Sequence, residues 1–293
     1  MTVALAIVFV FVWSTGFVVG KYILPHADPT LFLLVRTCIA TAMFTGIALF
    51  MRLPWPSWRQ VPKHLLAGIL LQGLYLSGTY WAIDGGVPPA VMALLGSLQP
   101  LLTAVFAIPI LKEYPQPKVW LGLVLGMFGV AMVIQPGLSG SAQASFGTAA
   151  LLIGLLAILS ITFGTILQKT SISGTDIRVS SALQNMGTVI FTAVFVVILG
   201  EEHWDGSIQL WGALFWASFV LSGVGAFLLV WIVRRGQAAT ASSLMFLAPP
   251  LAAIEAYYLF GDRLQALQLI GFGIALMGVL ICNWRIRARR TVV

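Results

Sequence analysis

Ten stretches of mainly apolar residues, each long enough to cross a lipid bilayer, follow one another along this chain. The hydrocarbon core of a bilayer is about 30 Å thick, and a helix crosses it with about 20 apolar residues. The stretches are continuously apolar, without polar residues at alternate positions, which excludes a membrane β-barrel. They predict transmembrane helices over approximately residues 3–24, 30–51, 64–84, 88–110, 117–135, 147–168, 178–200, 208–232, 238–260 and 265–284.

The composition excludes a soluble globular enzyme. Of 293 residues, 59% are hydrophobic and 9% are charged, whereas soluble domains carry roughly 45–50% apolar and 25% charged residues. The net charge of +7 comes from basic residues scattered between apolar stretches, so it does not form a face for nucleic acid. Cys38 and Cys282 both lie in apolar stretches, which argues against a disulfide scaffold. We therefore expect an all-α integral membrane protein surrounded by lipid, with no nucleic-acid partner.

Basic residues distinguish the two sides of the membrane. Of the 16 lysines and arginines, 13 fall in loops and a tail on one side, Lys21 and Arg263 fall on the other, and Arg36 lies inside a span. Because basic loops stay in the cytoplasm, both termini are predicted to be cytoplasmic. The acidic loop 201–205 then lies outside. The first stretch is predicted to be a retained helix, since no cleavage site precedes a soluble domain.

The two halves of the sequence resemble each other at an offset of about 148 residues. We predict repeats over residues 1–137 and 147–293, with a linker over 138–146. Each repeat holds five spans, so the second enters the membrane in the opposite direction, as in many secondary transporters. The matching pairs are Gly16 with Gly164, Lys21 with Lys169, Arg36 with Gln184, Pro100 with Pro249, Glu113 with Asp262, Gly122 with Gly271, and Gly129 with Gly278.

Motifs within these repeats resemble a known family. The second half carries AATASSLMFLAPP over 238–250, then Gly261-Asp262-Arg263 and a helix with Gly271 and Gly278. The first half carries a similar order from Ala90 to Pro100, then Lys112-Glu113, Gly122 and Gly129. This order resembles the EamA-type repeat of the drug/metabolite transporter superfamily. The opening WSTGF, 13–17, and the chain length are most similar to its bacterial aromatic amino acid exporters. The resemblance implies a ten-helix exporter of the cytoplasmic membrane whose spans 1, 3, 4 and 6 line the pathway.

Polar and aromatic residues recur at helical spacing within the spans. Gln72, Tyr75 and Thr79 share one face of span 3, and Trp13 and Phe17 lie one turn apart in span 1. An aromatic cavity with a few hydrogen-bonding groups suits a small amphipathic solute. Each residue could alternatively serve helix packing. The candidate lining is Trp13, Phe17, Gln72, Tyr75, Thr79, Gln99, Ser160, Phe163, Gln184 and Ser222. Within this set, Trp13, Tyr75, Thr79, Gln99 and Phe163 are predicted to line one central chamber.

Charged residues and prolines within or beside the spans suggest moving parts. Charges inside a bilayer are costly, and Arg36 and Glu255 lie well inside predicted spans. They could pair, could each reach the interface, or could form a gate or a proton-coupling pair. Lys21, at the outer end of span 1, is a second candidate partner for Glu255. Pro100, Pro249 and Pro250 are candidate hinges, or prolines that merely tolerate a kink.

Signatures of catalysis, metal binding and nucleotide binding are missing from the sequence. His26, His64 and His203 lie near predicted helix ends or in loops on different sides, so they cannot share a metal. No phosphate-binding loop is present, so we expect no ATP site, no cofactor and no enzyme activity.

The leading hypothesis is a secondary transporter that exports small organic solutes, specifically amino acids with aromatic or apolar side chains, by alternating access. One alternative is broad efflux of drug-like cations, in which Glu255 would be the counter-charge. The others are an integral membrane enzyme and a receptor. Oligomeric state and energy source stay open.

Overall fold

The computed structural model describes residues 3–111, 117–138, 146–172, 174–225, Leu228 and 247–283. Within these residues the structure is helical and has no strand, which confirms the predicted all-α class. One isolated antiparallel bridge joins Ala27 to Trp204. The α-helices, in chain order, are α1 (Val3–Tyr22), α2 (Pro29–Phe50), α3 (Val61–Gly68), α4 (Tyr75–Asp84), α5 (Pro89–Ser97), α6 (Gln99–Leu111), α7 (Pro117–Leu138), α8 (Thr148–Ser171), α9 (Ile177–Leu199), α10 (Ile208–Phe215), α11 (Ala248–Phe260) and α12 (Ala266–Asn283).

Two π-helical segments interrupt the α-helical geometry. Ile69–Leu74 joins α3 to α4, so that one continuous helix runs from Val61 to Asp84. Trp216–Gly225 continues α10. A π-turn adds a residue to a helical turn and therefore changes which side chains share a face, and such turns are frequent at functional sites.

The helices agree with a membrane protein in length and apolarity. Those long and apolar enough to cross a bilayer are Pro29–Phe50, Val61–Asp84, Thr148–Thr170 and Ile177–Leu199, and shorter apolar helices follow the same order as the predicted spans. Large apolar side chains point outward, as with Phe50 at 92% exposed and Val197 at 81%. Parts of the predicted spans 208–232 and 238–260 lie outside the described residues, as do Lys112 and Glu113.

Local sequence sets several helix ends. Asp176 accepts a hydrogen bond from the Arg178 backbone N–H, which caps the start of α9. Ser207 accepts one from the Leu210 N–H and caps α10. Gly200 and Gly261 end α9 and α11 with φ of 66° and 72°, a left-handed conformation that glycine adopts without a steric penalty.

The candidate hinge prolines lie at the starts of helices. Pro100 is the second residue of α6, and Pro249 and Pro250 are the second and third residues of α11. Proline is well tolerated in the first turn because its missing N–H would have no partner there. The predicted span 88–110 is accordingly divided into α5 and α6 at Leu98. The structure thus shows a fixed break beside Pro100, and movement about these prolines stays a prediction.

Helices α7 and α12, the last of each half, pack backbone to backbone. A Cβ built on Gly129 would lie 2.5 Å from the Gly271 carbonyl oxygen, and one built on Gly278 would lie 2.7 Å from that of Gly122. Only glycine permits this approach, which is how small residues bring membrane helices together. Gly122 and Gly271 correspond in the sequence repeat, as do Gly129 and Gly278. The contact of Gly129 with Gly271 therefore has a symmetric counterpart in the contact of Gly278 with Gly122, because each residue of the first pair corresponds to one residue of the second.

Two loops on one side of the helices are joined by polar contacts. The Asp28 carboxylate accepts hydrogen bonds from the backbone N–H groups of Glu202 and His203. The His26 ring lies 2.6 Å from the Asp205 carboxylate. A hydrogen bond from the Ser207 backbone N–H, with the His26 ring, lowers the pKa of Asp205 to about 2. These contacts connect the α1–α2 loop to the α9–α10 loop, on the side that the basic-residue pattern predicts to be the outer side of the membrane.

Candidate substrate cavity

A cavity of about 320 Å³ lies between α1, α2, the helix from Val61 to Asp84, α8, α9 and the second π-segment. Residues far apart in the sequence meet here because six separate helical segments form its walls. The predicted site residues on its wall are Trp13, Phe17, Gln72, Tyr75, Thr79, Ser222 and Arg36. The site therefore combines aromatic surfaces with hydrogen-bonding groups, the usual makeup of a pocket for a small organic ligand.

A smaller pocket of about 110 Å³ adjoins this cavity and shares the walls made by Trp13, Phe17 and Tyr75. Gln99 and Pro100 line it from the break between α5 and α6. The Gln99 amide Nε2 donates to the Thr165 hydroxyl at 2.9 Å, which ties this break to α8. The structure therefore places Gln99 next to the main cavity and not on its wall.

Three predicted lining residues lie elsewhere. Ser160 and Phe163 line a separate apolar pocket between α8, the helix from Val61 to Asp84 and α9, and Phe163 is 39% exposed and contacts Phe106. The Ser160 hydroxyl donates to the Leu70 carbonyl oxygen. Gln184 is buried and donates to Ser180 within α9, because this face packs against the Gly68 backbone. The prediction of a single chamber containing Phe163 is therefore corrected: α8 turns that ring away from the cavity.

Side chains that the sequence analysis left out of the site complete the cavity. Asn185, next to Gln184, faces the cavity because adjacent helical residues differ in direction by about 100°. Tyr80 is fully buried on the same wall as Thr79. The π-segment before α4 adds a residue to one turn, so a simple 3.6-residue period starting at Gln72 does not select Tyr80.

Arg36 extends into this cavity from α2. Its Nη2 donates to the Ser222 hydroxyl at 3.3 Å, which is a long hydrogen bond. It forms no ion pair with a carboxylate in the described part of the chain. Of the lining residues only Arg36 carries a full charge. The pair with Glu255, one of the alternatives left open by the sequence, is therefore absent from the described residues, and the guanidinium lies on the cavity wall.

Glu255 and Lys21 each have a different partner. The Ser14 hydroxyl donates to Glu255 Oε1 at 2.6 Å, while Glu255 Oε2 is buried without a partner. Lys21 Nζ lies 2.6 Å from an Asp262 oxygen, at the ends of α1 and α11. The suggested pair of Lys21 with Glu255 is corrected, because Asp262 lies next to the end of α1 and Glu255 lies two turns further down α11. Both contacts join α1 of the first half to α11 of the second.

The fold and the cavity define an apolar helical membrane protein with a polar, aromatic site between its helices. The sequence model of the EamA-like transporter family matches residues 1–135 and 148–284, so the chain belongs to this family. It is therefore an integral membrane transporter and not an enzyme, which confirms the family resemblance found in its motifs.

Individual relatives agree with this assignment. A probable amino-acid metabolite efflux pump of Escherichia coli is 25% identical over 98% of this chain and 96% of its own length. An uncharacterized transporter of Synechocystis is 27% identical over 94% of this chain and 87% of its own length. A solved crystal structure shares the fold with a TM-score of 0.59 at 16% identity, covering 95% of this chain and 94% of that one.

Proposed function

We propose that this protein is a secondary transporter of the bacterial cytoplasmic membrane that exports amino acids with aromatic or apolar side chains. The observation that carries the proposal is the cavity between α1, α2, α4 and α9, where Trp13, Phe17 and Tyr75 surround hydrogen-bonding groups. A volume of about 320 Å³ suits a solute of this size. The amino-acid metabolite efflux pumps among its relatives support the same class of substrate.

Alternating access between two inverted five-helix repeats, with ten spans in all, is the mechanism we propose. The contacts of Gly129 with Gly271 and of Gly122 with Gly278 join corresponding positions of the two repeats, and this symmetry supports an inverted repeat. The family match in both halves supports a duplication. Rocking of one repeat against the other would expose the cavity first to the cytoplasm and then to the outside.

Broad efflux of drug-like cations was the competing hypothesis. It required Glu255 as a counter-charge at the site. The described cavity wall carries Arg36 and no carboxylate, and Glu255 is held by Ser14 outside that wall. A cation in this cavity would meet a like charge, which favours amino acids over cations.

Flux into liposomes containing the purified protein tests the proposal. A panel of radiolabelled amino acids and organic cations is measured with and without a pH gradient. We expect saturable flux of aromatic or large apolar amino acids, and a loss of at least about tenfold in Trp13→Ala, since this ring forms part of the cavity wall.

Trp120→Ala is the matched control, because Trp120 is 47% exposed on α7 and lies away from the cavity. Equal losses in both variants, or flux of cations alone, would contradict amino-acid export through this cavity.

A further inference from the structure

Arg36 is a cation inside a membrane span, and no carboxylate among the described residues pairs with it. Its guanidinium offers five N–H donors, of which one makes the long hydrogen bond to Ser222. Charged side chains at such depth normally pair with an opposite charge or line a substrate path. Arg36 lies on the cavity wall, and no carboxylate in the described part of the chain pairs with it. A negatively charged group of a bound solute would supply the missing partner.

Two buried hydroxyls on the wall of this cavity add to the argument. The Thr79 hydroxyl oxygen is inaccessible to solvent and makes no hydrogen bond with the described residues, and the Tyr80 hydroxyl oxygen, equally buried, has the Arg36 guanidinium as its charged neighbour. Both residues line the same cavity as Arg36. Buried polar groups are satisfied in nearly all proteins, so the unsatisfied Thr79 hydroxyl is a candidate donor to a bound ligand. A guanidinium with a phenol hydroxyl beside it forms a site for an oxyanion, and a planar carboxylate matches the guanidinium geometry.

Recognition of an ammonium group has no comparable basis in this cavity. The wall contains no aspartate or glutamate among the described residues, and the nearest acid on α11, Glu255, is held by Ser14. Only neutral acceptors such as Asn185 and Gln72 face the space.

We propose that Arg36, Thr79 and Tyr80 bind the carboxylate of the transported solute, and that its amino group contributes little to recognition. This inference rests on the proposed transport function and refines its substrate class to aromatic or apolar monocarboxylates, with or without an amino group.

Three probes with the same phenyl group separate the two recognition elements. L-phenylalanine has both charged groups, 3-phenylpropionate lacks the ammonium, and 2-phenylethylamine lacks the carboxylate. Binding of each to the purified protein in detergent is measured by calorimetry. We expect 3-phenylpropionate to bind within about threefold of L-phenylalanine, and 2-phenylethylamine at least about tenfold more weakly, the size expected for losing a hydrogen bond to a charged group.

Variants assign this preference to the site. Arg36→Gln should weaken both carboxylates by at least about tenfold and leave the amine unchanged, and Tyr80→Phe should weaken the carboxylates by about threefold to tenfold. Tyr80→Phe removes only the hydroxyl beside the Arg36 guanidinium and keeps the ring, so it keeps the test usable if Arg36→Gln does not fold. Arg59→Gln, in an exposed loop, is the control and should change nothing.

The amine binding as tightly as 3-phenylpropionate, or carboxylate affinities unchanged in both site variants, would overturn the proposal. Absence of binding by all three probes would also overturn the carboxylate-site proposal. If the protein then still transported another solute, the proposed transport function would remain supported. Conversely, carboxylate binding without any flux would count against transport and not against this site.

Discussion

Replacing Gly271 by alanine tests whether backbone contact holds α7 and α12 together. The new Cβ would lie 2.6 Å from the Gly129 carbonyl oxygen and 2.7 Å from the Met132 Cβ. Ordinary van der Waals contact begins at 3.4 Å, so the helices would have to separate by about 0.8 Å, the difference between 3.4 and 2.6 Å. Overpacking of this kind costs about 1–3 kcal/mol. We expect the free energy of unfolding to fall by that amount.

Gly273→Ala is the matched control in the same helix. A Cβ at Gly273 meets nothing within 4 Å, so the change should be neutral or should stabilise the helix by up to about 1 kcal/mol. The free energy of unfolding is measured for both variants by titration with SDS in mixed micelles, followed by circular dichroism. The two variants should differ by about 1–4 kcal/mol. Equal stability of Gly271→Ala and Gly273→Ala would refute the close-contact argument.

Three further predictions concern pH and topology. Contacts in the folded protein depress the pKa of Asp205 to about 2. Their stabilising contribution should therefore be complete above pH 4 and be lost as the pH falls toward 2. The melting temperatures of wild type and Asp205→Asn should converge over that window and not elsewhere. If Glu255 couples proton movement to transport, Glu255→Gln should remove the dependence of flux on a pH gradient and preserve exchange at equal pH. If Glu255 serves only the contact with Ser14, the same change should lower stability and leave the gradient response unchanged, which would exclude proton coupling through this residue. A reporter active only in the periplasm, fused after Val293, should stay inactive, since the basic residues place the C-terminus in the cytoplasm.

Helix positions could be predicted from the sequence because bilayer thickness fixes the length of an apolar span. The stretches 30–51 and 178–200 correspond to α2 and α9 within one residue at each end. Four glycines of α7 and α12 stood out as matched pairs of the sequence repeat, although the sequence did not show that they contact one another: Gly122, Gly129, Gly271 and Gly278. Arg36 stood out because a charge inside a span is costly.

The rotation of each helix could not be predicted. Gln184 and Asn185 are adjacent polar residues, and only the packing of Gly68 against Gln184 turns Asn185 toward the cavity. Phe163 has the spacing of a lining residue, yet the rotation of α8 directs it outward. Periodicity within one helix does not determine its orientation relative to the others.

Contacts between residues distant in the sequence could not be predicted either. Ser14 with Glu255, and Lys21 with Asp262, are each separated by 241 residues. No local pattern joins them, and they meet only because α1 packs against α11. Pairing Glu255 with Lys21 or with Arg36 on the basis of depth in the membrane was therefore incorrect.

The glycine contacts between α7 and α12 make the surface of each helix self-complementary. In the sequence repeat, Gly271 corresponds to Gly122 and Gly278 corresponds to Gly129. Two copies of α7 running in opposite directions could therefore form the same contacts, with Gly129 of each helix against Gly122 of the other. A gene encoding only residues 1–137 would thus specify both sides of this interface, as in an isologous dimer. Joining two such genes would need a linker but no new interface here, and α7 and α12 pack with the geometry of an antiparallel pair of identical helices.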